Sequence, residues 1–253
     1  MFLYSFYWVV LMALNKIRLD RFISQKLNIS RGDVRLMLAQ KRICVDDLLA
    51  SNIEQIINDF SVVKFDNKIM QNNKPCYLML HKPVGVVSAT KDQQHKTVID
   101  LLKASGLVSL ETCESLHIVG RLDLNTSGLI LLTNDSRWSH YLTSPENKVI
   151  KKYRVTLANQ LSTDYIQAFK QGMYFSYEDI TTKPALLEIV SDNVADVYLT
   201  EGRYHQIKRM FGRFRNPVVK LHRIAIGNLS LCNDLTVGAS RLLTNEELAK
   251  IKE

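Results

Sequence analysis

Two short apolar runs, Leu116-His-Ile-Val119 and Leu129-Ile-Leu-Leu132, stand on either side of the polar stretch Gly120-Arg-Leu-Asp-Leu-Asn-Thr-Ser-Gly128. Both have the length and the bounding glycines of buried strands, so the chain has to build a core around them. The loop they bracket holds one carboxylate, Asp123, followed by Asn125, Thr126 and Ser127. A single acid on a polar loop between core strands is positioned by a rigid scaffold and can face a substrate. It can equally cap a turn, a common use of Asp. Spacing within the loop does not separate the two.

Three other segments bear on that choice. Glu201-Gly-Arg-Tyr-His-Gln-Ile-Lys-Arg-Met-Phe211 opens a basic tract. From Gly202 to Asn233 there is no Asp or Glu, while Arg203, Lys208, Arg209, Arg213, Arg215, Lys220 and Arg223 carry positive charge. A solvated face usually mixes signs. One sign interleaved with Tyr204, His205, Phe211 and His222 reads as a surface for a polyanion. Lys151-Lys-Tyr-Arg-Val-Thr-Leu157 reads as a strand whose Tyr153 is flanked by cations, and Leu80-His-Lys-Pro-Val-Gly85 as a strand ending in a Pro/Gly turn.

A length of 253 residues favours one large domain plus a small accessory one. The formal net charge of +8 agrees with a polyanionic partner. Cys44, Cys76, Cys113 and Cys232 are far apart, without C-x-x-C spacing, and the six histidines are scattered. They form no metal-ligand pattern or disulfide framework and read as reduced thiols filling the core. Residues 1–14 are apolar but shorter than the roughly 20 residues of a membrane span. They also lack the charged start and small-residue cleavage site of a signal peptide. They are expected to be a dispensable extension or a misassigned start, with Met12 as the true one. A hydrophobic contact with the body is the second reading, and no membrane association is expected.

After this extension (residues 1–15), residues 16–68 read as a separate module. Leu19, Phe22, Ile23 and Leu27 have helical spacing, and Ser30-Arg-Gly-Asp33 has the form of a capping box opening a second helix through Val34, Met37 and Leu38. Ile43-Cys-Val45 alternates as a strand before an Asp46-Asp47 turn, and Val62–Phe65 is a closing strand. Lys16 to Asp46 carries eight Lys/Arg against three Asp. Residues 69–75 read as a polar linker. From Cys76 to residue 253, short strands alternate with helices over 97–106, 162–171 and from Thr244. An α+β domain with a mostly antiparallel sheet follows.

Lys82-Pro-x-Gly85, Gly120-Arg-Leu-Asp123, Lys152-Tyr153 and Glu201-Gly-Arg-x-His-Gln-Ile-Lys-Arg-Met210 together resemble the motifs of the RsuA/RluB/RluE/RluF family of pseudouridine synthases. They stand in that family's order and spacing, and the resemblance covers most of the chain from residue 16 onward. Trp138-Ser-His140, Thr143-Ser-Pro145, Thr182-Lys-Pro184 and Arg203-Tyr-His-Gln206 resemble the RsuA branch most. That branch modifies small-subunit ribosomal RNA, with the uridine 516 class of 16S RNA as the implied target. Arg18-Leu-Asp-Arg-Phe22, Ser30-Arg31 and Lys41-Arg-Ile-Cys-Val-Asp46 are similar to an S4 RNA-binding domain. The resemblance thus implies an S4-like domain over 16–68 and a catalytic domain over 76–253 with a mixed sheet and the active cleft across its middle.

Isomerising uridine breaks the N1–C1′ bond, turns the base while it stays bound, and joins C5 to C1′. There is no redox change or group transfer, so neither cofactor nor metal is required. By resemblance, Asp123 is the nucleophile, and Tyr153 stacks on the base and relays the C5 proton. A carboxylate in a desolvated pocket tends to protonate, so an adjacent cation is needed. The matching position is Lys208, where many relatives carry Arg, with Arg209 as the alternative. The target base must leave its stack at a cost of a few kcal/mol. Arg121 can reach into the vacated space, or form an ordinary salt bridge. RNA contacts are further expected from Arg203, His205, Gln206 and Arg209. In the S4-like module they are expected from Arg18, Arg21, Arg31, Arg35, Lys41 and Arg42. Lys82 is expected to be structural or to touch the RNA backbone.

The implied protein is a cytoplasmic, monomeric enzyme acting on ribosomal RNA or a small-subunit assembly intermediate. Its rivals are a synthase for large-subunit RNA and a non-catalytic S4-type assembly factor. A pure binder has no reason to keep Asp123 where it repels phosphate, so acid, tyrosine and cation together favour catalysis. A glycosidase would need a second catalytic carboxylate, which is not apparent.

Overall fold

The computed structural model describes residues 16–251. The apolar segment 1–14 lies outside the described residues. Two compact units divide between Pro75 and Cys76.

The first unit runs β1 (Ile17–Arg18), α1 (Leu19–Leu27), α2 (Arg31–Ala39), β2 (Ile43–Val45), β3 (Leu48–Leu49), β4 (Ile56–Ile57), β5 (Val63–Phe65) and β6 (Lys68–Gln71). Leu19, Phe22 and Ile23 from α1 meet Val34 from α2 and Ile43, Ile57 and Val63 from the strands in one buried cluster. Ser30 and Asp33 form the expected capping box at the start of α2. Asp46 and Asp47 both take positive φ, 51° and 65°. That suits the two-residue turn joining β2 to β3. The stretch read as a linker is shorter than expected. Lys68–Gln71 pairs antiparallel with Val63–Phe65 and ends the sheet β3-β2-β5-β6. None of its four residues is buried and its two apolar residues are adjacent, so no alternation marks it as a strand.

The second unit continues with β7 (Tyr77–Lys82), α3 (Val98–Ser105), α4 (Leu110–Ser115), β8 (His117–Val119), β9 (Ser127–Thr133), α5 (Ser136–Thr143) and β10 (Lys151–Leu157). Then come α6 (Asp164–Gln171), β11 (Tyr174–Phe175), β12 (Ile180–Thr181), β13 (Leu186–Ser191) and β14 (Val194–Leu199). The unit ends with α7 (Gln206–Gly212), β15 (Val218–Ile226), β16 (Leu229–Ser230), β17 (Ser240–Leu242) and α8 (Asn245–Lys250). The main sheet runs β13-β14-β10-β15-β9-β7-β17. It is mixed: β9 and β15 are parallel, and the other neighbours along this path are antiparallel. Leu78, Leu80, Ile130 and Leu132 pack with α3 and α4, and Val155, Val197 and Leu221 with α6 and α7. On the opposite face, Met79, Leu129 and Leu131 pack with α5.

Register places the site. Lys82 pairs with Gly128, Gly128 with Arg223, and Arg223 with Tyr153. Directly opposed residues share a face, so these four form a row across four strands. Gly128 cannot be replaced in this row. At φ +112°, a Cβ there would lie 2.3 Å from the Arg223 carbonyl oxygen.

Candidate active site

The loop between β8 and β9 is held almost entirely through its backbone. The Lys82 ammonium donates to the carbonyls of Asp123 at 3.0 Å, Thr126 at 2.7 Å and Pro83 at 3.0 Å. Arg223 donates to Gly120 O at 2.6 Å and Leu129 O at 2.8 Å. Ser88 Oγ donates to Leu122 O and accepts from Leu122 N. Lys82 is fully buried and Arg223 is 2% exposed. Burial pushes the Lys82 ammonium down to about 8; the Asp123 charge opposes that shift and Arg223 adds to it. Both cations are bound by neutral carbonyls. Lys82 is therefore structural and, being buried, does not touch an RNA backbone.

With its backbone fixed, Asp123 turns its carboxylate outward. It does not cap the turn: Thr126 N donates instead to the Asp123 carbonyl, at 3.0 Å. Oδ2 is met by Lys208 Nζ at 3.2 Å and His205 Nε2 at 3.4 Å. The side chain is about a third exposed, so the carboxylate is open to water rather than desolvated. An inserted base would supply the missing wall. The surrounding cleft is open to solvent, has a cavity volume of about 80 Å³ and is lined by Arg121, Asp123 and Thr126 from the loop, Tyr153 from β10, and Arg203, His205 and Lys208. Tyr153 is buried, and its hydroxyl accepts a long bond of 3.5 Å from Arg223 Nη1. The phenol's own hydrogen has no acceptor among the described residues.

The tract from Glu201 to Arg209 separates residues that look alike in sequence. Lys208 faces Asp123. Arg209 points elsewhere, donating to both Glu178 carboxylate oxygens at 2.5 Å and stacking 3.8 Å over Phe175. Neighbours on a helix lie about 100° apart, so one of them alone can reach the carboxylate. The alternative pairing of Arg209 with Asp123 is excluded, and its charge is already matched. Gln206, also expected to contact RNA, lines the cleft but is committed to internal hydrogen bonds. It is 3% exposed, donates to Glu201 Oε1 at 2.7 Å and accepts from Arg203 N at 3.1 Å. An amide in a basic tract reads as surface. Here the buried Glu201 carboxylate needs a donor, and Gln206 supplies it. Arg203 is partly tied to the same carboxylate at 3.1 Å. Arg121 is exposed at the cleft, and its side chain makes no hydrogen bond or ion pair among the described residues.

In the first unit, Arg18 is paired with Asp20 and Glu54, and Arg42 with Asp66. Both arrive already neutralised. Arg21, Arg31, Arg35 and Lys41 are exposed, with side chains unpaired among the described residues. Arg223 was not singled out as a site residue, although strand alternation in β15 puts it on the inward face with Leu221. Lys151 is likewise buried, and burial lowers its ammonium to about 8. No grouping of His, Cys, Asp and Glu able to hold a metal occurs among the described residues, and no described helix is long and apolar enough to cross a membrane.

A carboxylate paired with a lysine in an open cleft, walled by a tyrosine and rimmed by arginines, defines an enzyme that works on one base of a polyanion. The RNA pseudouridylate synthase family model matches residues 76–212, and the chain belongs to that family. It is 43% identical to the ribosomal small subunit pseudouridine synthase A of Pseudomonas aeruginosa over 92% of this chain and 100% of that protein. It is 39% identical to the protein of the same name from Escherichia coli, over 92% and 99%. A crystal structure of a pseudouridylate synthase superposes with a TM-score of 0.66 at 34% identity, covering 93% of this chain and 99% of that one.

Proposed function

We propose that the chain converts one uridine of small-subunit ribosomal RNA to pseudouridine, of the uridine 516 class in 16S RNA. The observation that carries this reading is Asp123 with Lys208 at 3.2 Å in a cleft walled by Tyr153. The names and near-complete coverage of the relatives supply the RNA class. Asp123 acts as the nucleophile and Lys208 supplies its counter-charge. Tyr153 stacks on the base and carries the C5 proton, its phenol oriented by Arg223. The N1–C1′ bond breaks, C5 joins C1′, the C5 proton leaves and N1 gains one, so the product is an isomer and no co-reactant is consumed. Arg121 fills the space that the extruded uridine leaves, and Arg203 and His205 line the approach. The first unit acts as an S4-type RNA grip through Arg21, Arg31, Arg35 and Lys41, with Arg18 and Arg42 as weaker contributors. The protein works as a monomer, in the cytoplasm, on free RNA or a small-subunit assembly intermediate.

The test is to map pseudouridines in ribosomal RNA from cells with and without this gene. The purified protein is then assayed on the unmodified small-subunit RNA. Loss of a single small-subunit pseudouridine, restored in vitro, is the expected result. Loss from large-subunit RNA would reassign the substrate, and an unchanged map would remove the reading.

A further inference from the structure

Next to the reacting carboxylate the chain builds an aromatic step. His205 sits just before α7 with φ +48°. This left-handed conformation is uncommon for a non-glycine residue and persists only where the surroundings enforce it. Here they do: Gln206, locked to Glu201 and to Arg203 N, fixes the turn from beneath. The turn points the imidazole at Asp123 and lays it flat on Tyr204, ring centroids 3.9 Å apart and planes at 20°. Carboxylate, imidazole and phenol thus succeed one another from the cleft outward.

Tyr204 is 75% exposed and belongs to none of the apolar clusters. One ring face rests on His205, and its hydroxyl has no hydrogen-bond partner among the described residues. Core packing therefore does not account for it. A rigidly presented tyrosine beside cations, with much of its ring in water, has the make-up of a base-stacking surface. When a uridine is extruded, its neighbour in the strand loses a stacking partner, and an aromatic ring next to the receiving cleft can replace it.

We propose that Tyr204 is the stacking platform for the nucleobase flanking the target uridine, with His205 as the spacer that sets its distance from Asp123. This rests on the cleft receiving an extruded uridine. It adds a second base subsite, tolerant of base identity because every base has a π-face.

The test uses whichever RNA uridine the parent enzyme converts, in splint-ligated transcripts carrying an abasic ribose on the 5′ or the 3′ side of it. Single-turnover kcat/KM is measured for the parent, Tyr204→Ala, Tyr204→Phe and Tyr204→Trp. Tyr204→Ala should lose about ten- to a hundredfold, mainly through KM, while Phe and Trp stay within about threefold of the parent. An abasic ribose on one side should cost the parent a similar factor and cost Tyr204→Ala nothing further. The proposal is overturned if neither abasic RNA slows the parent, a result that needs no variant to fold. It is equally overturned if Tyr204→Ala matches the parent, or if the variant and abasic losses multiply. A parent that converts no small-subunit uridine would instead overturn the substrate reading, with the flank experiment run on the RNA it does modify.

Discussion

Replacing Asp123 with Asn leaves the loop's anchors in place, because Lys82 bonds the backbone carbonyl rather than the carboxylate. Asp123→Asn should therefore abolish single-turnover pseudouridine formation while RNA affinity stays the same or tightens, since a negative charge near phosphate has gone. Measurable turnover by the Asn variant would sink the assignment. Lys208→Met should cut the rate at saturating RNA, whereas Lys208→Arg keeps much of it. A lysine serving only phosphate would show the loss in binding and not in that rate. Lys82 makes a pH prediction with two opposite signs. Its folded value of about 8 lies below the ordinary lysine value of 10.5. The unfolded chain thus binds more protons between those limits, and stability gains a term that rises with pH through this window. A neutral amine, however, has two N–H groups for three carbonyls, so the loop loosens. From pH 7 to 9, the rate should fall while the melting temperature shows no parallel loss. Lys82→Met should have low activity without that falling limb. A Met variant retaining the parental limb would assign it to another group.

At the scale of elements, the strands β9 and β15 touch in parallel because Gly128 admits the Arg223 backbone. Gly128→Ala should cost about 3 kcal/mol or more in denaturant unfolding, by forcing a Cβ into that backbone at a backbone angle reserved for glycine. A variant within about 1 kcal/mol of the parent would contradict the packing argument. The elements flanking the catalytic loop were legible from sequence because apolar runs and glycines mark buried strands locally. The capping boxes at Ser30, Thr97 and Thr244 were legible for the same reason. What escaped depends on side-chain pairings that spacing does not reveal, some of them distant in sequence. The helix α7 reads as a charged tract because its apolar face, Ile207, Met210 and Phe211, is short and interrupted by cations. Gln206 becomes a core residue only through Glu201, and Arg209 is drawn away from Asp123 by Glu178. Arg223 is masked by its charge, since an arginine facing inward is unexpected until the loop carbonyls it serves are folded around it. Asp123, Tyr153 and Lys208 were found together through the motif resemblance rather than from spacing alone.

At the scale of the whole molecule, each unit has its own core, and the three apolar clusters around the main sheet contain no residue before Cys76. Removing residues 1–75 should therefore leave a folded, active catalytic unit whose melting transition survives. The charge balance decides what is lost. Of the six cations expected to bind RNA in the first unit, two are spent on Asp20, Glu54 and Asp66, and Arg21, Arg31, Arg35 and Lys41 have unpaired side chains among the described residues. Each phosphate they neutralise contributes about 0.7–0.9 to the slope of log affinity against log salt. The truncated chain should thus bind ribosomal RNA more weakly, with a slope shallower by up to about 3.6. Rates at saturating RNA should change little, because tethering a second grip raises local concentration without touching the chemistry. Equal affinity and equal salt slope for the truncated and full chains would show that the first unit is not an RNA grip. Neutralising Arg21, Arg31, Arg35 and Lys41 in the intact chain must then reproduce the truncation's slope if these four, rather than the unit's bulk, carry the effect.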